Sequence, residues 1–243
     1  MLGRVGTGGK LPIPTIECAA MLKFEVATGS MLQEETEMKL FVAPRAPNPR
    51  RVTMFMAEKG ITDIALVNVD LNAGEHRGEA FRAMSPFSKV PALQLDDGRV
   101  LSESRAICTF LEGLHPQPNL MGSDSTERAF IEMADRQVEL YLFAAVAQCI
   151  RHTHPGLAVL EGRQFADYGQ AQGQRVLEVA RWYDTHLATR EFVAMERFTI
   201  VDITLLCALD FAKGLMKFRP AEQGLPHLQA WRDRISARPS AAA

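Results

Sequence analysis

The residues between His76 and Arg105 are of the types needed to hold a small charged peptide. Lys89 stands directly before Val90-Pro91, and a short hairpin pattern separates that pair from Glu103-Ser104-Arg105. A proline at a strand entrance belongs at an edge or a bend, because it has no N–H to give to the ladder. A cis Val90-Pro91 bond would turn the Val90 N–H and C=O outward, where an extended peptide can pair with them as an added strand does. Glu103-Ser104 opens a helical pattern. A helix start offers unpaired N–H groups and a positive dipole end to a carboxylate. The Glu103 carboxylate suits an amine, while Lys89 and His76 supply cations for a second carboxylate. The set fits a small peptide with a free amine and free carboxylates.

The elements that must position these groups follow from pattern. Met38–Val42 is an apolar strand, and Ala43–Pro49, with three prolines, reads as loop. Arg50–Lys59 is a helix with Val52, Phe55 and Met56 on one face and Gly60 as its stop. Ala65–Val69 is a second strand, Asn72–Arg77 a polar loop and Glu79–Met84 a short helical turn. Ala92–Leu95 and Arg99–Leu101 flank Asp96-Asp97-Gly98 as a hairpin, and Ser104–Leu114 is a helix. This βαβ-ββα order makes the first two strands parallel. After a linker at His115–Ser125 the pattern is helical only: a long helix from Ser125 to about Ile150, another over Gly169–Thr189, and a last one over Leu225–Arg238. Thr199 with Asp202 forms a capping box, stapled by Phe198 and Ile203, before an apolar and therefore central helix. Asp202 is thus a structural residue.

Composition sets the limits. With 243 residues, 47% of them hydrophobic, the chain supports one large or two small domains. A formal charge of −2 gives no electrostatic case for nucleic acid. No apolar run reaches the roughly 18–20 residues that span a membrane. Cys18, Cys108, Cys149 and Cys207 are scattered without a paired spacing, which argues against a disulfide framework or a structural metal site and for a reducing compartment. Residues 1–37 read as a disordered extension or a mis-set start, with the functional fold beginning at Met38. Three divisions follow: 1–37, a sheet-bearing domain at 38–118, and an all-helical domain at 119–243.

From Met38 onward the chain resembles the cytosolic glutathione transferases. The likeness rests on Asn48-Pro-Arg-Arg-Val52, Ser88-Lys-Val-Pro91, Glu103-Ser104 with Ala106-Ile107, and Phe198-Thr-Ile-Val-Asp202. Gly74-Glu75-His76 and His152-Thr153-His154-Pro155-Gly156 point to the theta-like or yeast-like branch found in bacteria and fungi. The resemblance implies a thioredoxin-like N-terminal domain, an all-α C-terminal domain, a homodimer and a cytoplasmic location. It implies glutathione as co-substrate, no resident cofactor or metal, and a hydrophobic electrophile as the second substrate. Val90 and Pro91 would hold the cysteinyl backbone. Glu103 and Ser104 would take the γ-glutamyl amine and carboxylate, His76 and Lys89 the glycyl carboxylate, and Arg105 would assist at either end.

One departure stands out. Members of this family place a Tyr, Ser or Cys after the first strand to hydrogen-bond the glutathione sulfur. Aligning on Arg50–Val52 puts Ala46 at that place, so no hydroxyl or thiol is available there. Asn48 and the adjacent helix start are the candidate donors, because helix N-termini lower thiol pKa values. His152, at the end of the long helix, is a second catalytic candidate, and His154 a weaker one. Tyr141, Phe143 and Met133 are candidates for an acceptor pocket, or simply core. Ala46 motivates a second reading, a non-catalytic glutathione-binding scaffold; the bound thiolate could also serve a glutathione-dependent peroxidase or disulfide reductase.

Overall fold

A computed structural model describes residues 38–243, all within one compact unit. The expectations for residues 1–37, Cys18 among them, lie outside the described residues. The first half runs β1 (Lys39–Val42), α1 (Pro47–Lys59), β2 (Ala65–Asn68), α2 (Glu79–Met84), β3 (Ala92–Gln94), β4 (Val100–Ser102) and α3 (Ser104–Leu114). The strands lie in the order β2-β1-β3-β4, with β1 parallel to β2 and antiparallel to β3, and β3 antiparallel to β4. This is the expected thioredoxin-like βαβ-ββα arrangement. Leu40, Val52, Phe55, Leu93, Ile107 and Leu111 fill its core and are sealed from solvent.

Helix α1 starts three residues earlier than the periodicity suggested. Its first turn is Pro47-Asn48-Pro49, and Ala46 caps it without a side-chain hydrogen bond. Proline is at home there, since first-turn N–H groups have no intrahelical partner and its fixed φ suits a helix. Three prolines that read as loop therefore include two that start a helix. Gly60 ends α1 at φ +66°, a conformation that glycine adopts without a β-carbon penalty; its N–H donates to the Ala57 carbonyl at 3.2 Å, and the Ile61 N–H to the Met56 carbonyl at 3.0 Å.

The second half is helical throughout: α4 (Ser125–Gln137), α5 (Ala144–Thr153), a single turn α6 (Ala158–Glu161), α7 (Ala166–Leu187), α8 (Ile200–Leu215) and α9 (Pro226–Ser236). The expected long helix is α4 and α5 joined by a wide π-turn at Val138–Phe143, a device that re-aims side chains and recurs at functional sites. Helix α7 approaches α5 closely at Gly169. A β-carbon there would stand 2.6 Å from Thr153 Cγ2 and 3.0 Å from His152 Cβ.

Helix α8 is the central post, buried on almost every residue from Ile200 to Leu209. Its capping box is complete. Thr199 and Asp202 bond each other's backbone, and the fully buried Asp202 carboxylate also accepts from the Val193 N–H at 3.0 Å and from Trp231 Nε1 at 3.3 Å. Burial pushes the Asp202 carboxyl up to about 6, against the hydrogen bonds that favour its charged form.

Charged pairs brace α1, one within the sheet-bearing half and one to the end of the helical half. Lys59 Nζ meets Glu112 at 2.7 Å and donates to the His115 and Pro118 carbonyls. Arg238 holds Glu58 with two bonds of 2.7 Å. Cys108, Cys149 and Cys207 are buried and free, as small apolar residues are. Burial raises the thiols of Cys108 and Cys207 to about 12 and about 11, so neither is a nucleophile at neutral pH.

Candidate functional site

The ladder brings the two key motifs to one end of the sheet. Ala92 pairs with Ser102 and with Phe41. One step beyond that register, Pro91 comes opposite Glu103, and the chain leaving β1 toward α1 emerges at the same end. The Val90-Pro91 bond is cis. Lys89 is anchored just before it by Ser85, whose Oγ accepts the Lys89 N–H at 3.3 Å and donates to its C=O at 3.0 Å. Neither the N–H nor the C=O of Val90 has a hydrogen-bond partner among the described residues, so a short strip of strand edge stays unpaired.

Helix α3 begins beside this edge. Glu103 adopts φ +68°, a left-handed conformation that is costly for a residue with a β-carbon and typical of functional sites. Its C=O accepts the first helical bond, from the Ile107 N–H at 3.0 Å. The N–H groups of Ser104, Arg105 and Ala106 therefore stand in an open first turn. Beneath it lies Arg51, sealed from solvent, with Nη1 donating to Ser104 Oγ at 3.2 Å and to Glu139 at 3.4 Å and with its guanidinium 5.4 Å from the Phe143 ring centroid. In the fold Arg51 underpins the start of α3, and Arg50 bridges to Asp210 at 2.7 Å.

A cleft of about 830 Å³ opens at the Val90 edge and the start of α1; Pro91, Glu103 and Ser104 are not among its lining residues. Ala46, Asn48, His76, Lys89 and Val90 line it. Asn48 is exposed. With Pro47 and Pro49 on either side of it, and the Ala46 N–H already bonded to the Ala43 C=O at 3.2 Å, the N–H of Asn48 is the single open donor of the first turn of α1. His76 sits with Nδ1 buried and unpartnered. Burial, Arg77 and Lys89 together hold its pKa below the usual histidine value.

Two further sequence candidates, Arg105 and His152, are engaged elsewhere. Arg105 turns toward α4, where Nε meets the buried Asp135 at 2.8 Å, Nη2 meets Glu132 and Nη1 reaches Thr109. Two carboxylates already use its donors. His152 does not line the cleft. Its ring packs edge-on against Phe165 and Tyr168, and Nδ1 accepts the Phe165 N–H at 3.4 Å. His154 caps the following turn, its Nδ1 accepting the Gly156 N–H at 3.2 Å. The neighbour Arg151 faces the cleft instead. Arg77, Arg82 and Arg151, with Leu157 and Phe211 beside Phe143 in the apolar wall, line the cleft without a signal in the sequence. Phe143 alone had been singled out, as acceptor pocket or core. Tyr141 and Met133 are exposed and line no part of this cleft.

The cleft on this thioredoxin-like domain and its helical partner half combines an unpaired strand edge, the open start of α1, basic side chains and an apolar wall. Comparison with known proteins gives the family. The glutathione S-transferase N-terminal domain matches residues 46–114 and the C-terminal domain of the same family matches residues 143–239. Glutathione S-transferase 2 of Saccharomyces cerevisiae is 33% identical over 206 residues, covering 84% of this chain and 88% of the yeast protein. Among solved structures, a glutathione S-transferase domain-containing protein of Marinobacter aquaeolei VT8 is 40% identical, with a TM-score of 0.79 over 83% of this chain and 98% of its own. A glutathione S-transferase of class Gtt2 from Vibrio parahaemolyticus is 32% identical, with a TM-score of 0.72 over 83% and 94%. The chain belongs to the glutathione S-transferase family, on the side of its yeast and bacterial relatives.

Proposed function

We propose that this protein transfers glutathione to apolar electrophiles, binding the peptide as its thiolate. In this reading Val90 pairs with the cysteinyl backbone beside Pro91. The Glu103 carboxylate takes the γ-glutamyl amine, and Ser104 with the open first turn of α3 takes the γ-glutamyl carboxylate. Lys89 and His76, backed by Arg77 and Arg82, take the glycyl carboxylate. Glutathione is a co-substrate here, and the protein forms no covalent bond with it.

The observation that carries the proposal is the start of α1. It has no hydroxyl, but it presents one unpartnered N–H, the Asn48 side-chain amide and the positive end of a 13-residue helix to the cleft. A free thiol titrates near 8.5. Lowering it by one unit requires about 1.4 kcal/mol of preference for the thiolate, which lies within what a helix terminus supplies. The bound thiolate then attacks the electrophile held on the Phe143–Phe211 side.

A homodimer is part of the proposal. Phe87 is 79% exposed beside the peptide-binding loop, and Tyr141, Val179 and Trp182 leave an apolar groove along α7. Reciprocal exchange of such a knob and groove between two copies suits a twofold interface. A boundary near Pro118, between a peptide-holding half and an acceptor-holding half, and a reducing, cytoplasmic setting complete it. Among the described residues no helix is long and apolar enough to cross a membrane.

Ultraviolet thiolate absorbance of bound glutathione, followed against pH, tests the reading. A bound pKa clearly below that of free glutathione is expected. Binding with an unshifted pKa would favour the scaffold alternative that Ala46 motivates.

A further inference from the structure

Every ionisable side chain that lines the cleft is of basic type; Glu103, assigned above to the γ-glutamyl amine, is not among the lining residues. His76, Arg77, Arg82 and Lys89 come from the sheet-bearing half, Arg151 alone from the helical half, and no Asp or Glu lines the cleft among the described residues. The chain as a whole carries a formal charge of −2, so the sign of the cleft is local.

Arg151 is set into the apolar wall. Phe143, Ala147 and Arg151 follow one another at four-residue steps, which puts them on one face of α5 and its entrance. Leu157 and Phe211 line the same cleft, and the Phe211 ring meets that of Phe143 edge-on. The guanidinium is held from behind by Glu161, which binds Nη1 and does not itself line the cleft. Nε and Nη2 make no hydrogen bond among the described residues, and 41% of the Arg151 side chain is exposed. Glu161 thus orients the fork while leaving donors in the geometry that grips a carboxylate.

We infer that Arg151 selects acceptors that pair an apolar body with an anionic group, carboxylates being the class that fits its fork. The inference rests on the glutathione-transfer reading and names the substrate class of that site. With an aryl enone as acceptor, the thiolate sulfur bonds to the β-carbon and the π pair moves to the α-carbon. That carbon takes up the proton released when the thiol ionised, and nothing leaves.

The test uses the glutathione adducts of a para-carboxyphenyl enone and of its methyl ester, titrated by calorimetry into the wild-type protein, Arg151→Gln and Arg151→Lys. The acid adduct should bind at least about 10-fold more tightly than the ester, the low end for a charge-assisted hydrogen bond at a half-exposed site. That ratio should shrink as salt rises, fall to near one in Arg151→Gln and return in part in Arg151→Lys. Glu161→Gln should increase it. Equal binding of the two adducts to wild-type protein, or a preference that survives intact in Arg151→Gln, would overturn the inference while leaving the glutathione site standing. Should neither adduct nor glutathione itself bind, both readings fall. The wild-type ratio decides the matter even if a variant does not fold.

Discussion

Two helix starts in this molecule are built in opposite ways. At α8 every donor is answered. Thr199 and Asp202 close the capping box, Val193 and Trp231 add two more bonds to the same carboxylate, and the whole assembly is shut off from water. At α1 the cap is an alanine, prolines delete two of the N–H groups, and the one that remains has no partner and stands at an exposed residue. The closed start spends its polarity on holding the helical half together. The open one gives up a stabilising cap of roughly 1 kcal/mol and keeps its donor and dipole for a ligand. The start of α3 is of the second kind, with a strained Glu103 in place of a cap.

Breaking the closed start should have the largest effect. Asp202→Ala leaves four donors buried without an acceptor, and a loss of about 3–5 kcal/mol is expected in chemical denaturation. The bound-thiol pKa of the surviving folded fraction should not move. A smaller loss accompanied by a shifted thiol pKa would mean that the two helix starts are coupled.

The same carboxyl predicts a pH dependence. Its folded value of about 6 lies above the ordinary 3.8, so between these values the folded state holds a proton that the unfolded state has released. Stability from this group is therefore fully present below about pH 4, falls as pH rises to about 6, and is level above that, a change of roughly 3 kcal/mol. Stability curves for the wild type and Asp202→Asn, compared across that window, should differ in slope with this sign. Parallel curves would show that Asp202 titrates normally.

At α3 the contrast can be sharpened with Glu103→Gly. Relieving φ +68° should raise stability by about 1 kcal/mol, while removing the carboxylate should weaken glutathione binding by about 10-fold or more. Calorimetry and melting on one preparation read both. Loss of stability together with binding would make Glu103 a structural cap rather than a ligand group.

The most delicate comparison is at α1. Asn48→Ala removes the amide and keeps the N–H, whereas Asn48→Pro removes both. The bound-thiol pKa should rise slightly in the first and by about one unit in the second, with turnover at neutral pH falling about 10-fold. If both variants keep the wild-type pKa, α1 is not the activator.

Much of this was legible in the residues. The crossover order of the strands, the hairpin around Gly98 and the capping box at Thr199 are written in local pattern, because each depends on neighbours within a few positions. The start of α1 was misplaced because proline signals a loop and a first helical turn alike. The engagement of Arg105 with Glu132 and Asp135 was not legible, because these partners lie far along the chain and pairing at that range leaves no mark in spacing. His152 and Arg151 are adjacent on one helix, and which of them meets the cleft depends on the π-turn that sets the rotation of α5. Arg77, Arg82 and Phe211 are unremarkable in sequence and become a site only when the sheet end and α8 come together.

Gly169 has a consequence for how this cleft can diversify. Because α7 passes His152 and Thr153 with no room for a β-carbon, any larger residue at 169 acts as a wedge against the last turn of α5, one residue from Arg151. The acceptor wall can therefore be re-aimed from the back of the helix that carries it, without altering a residue that touches substrate. A collection of variants at position 169 would sample acceptor range while leaving the peptide-binding edge untouched.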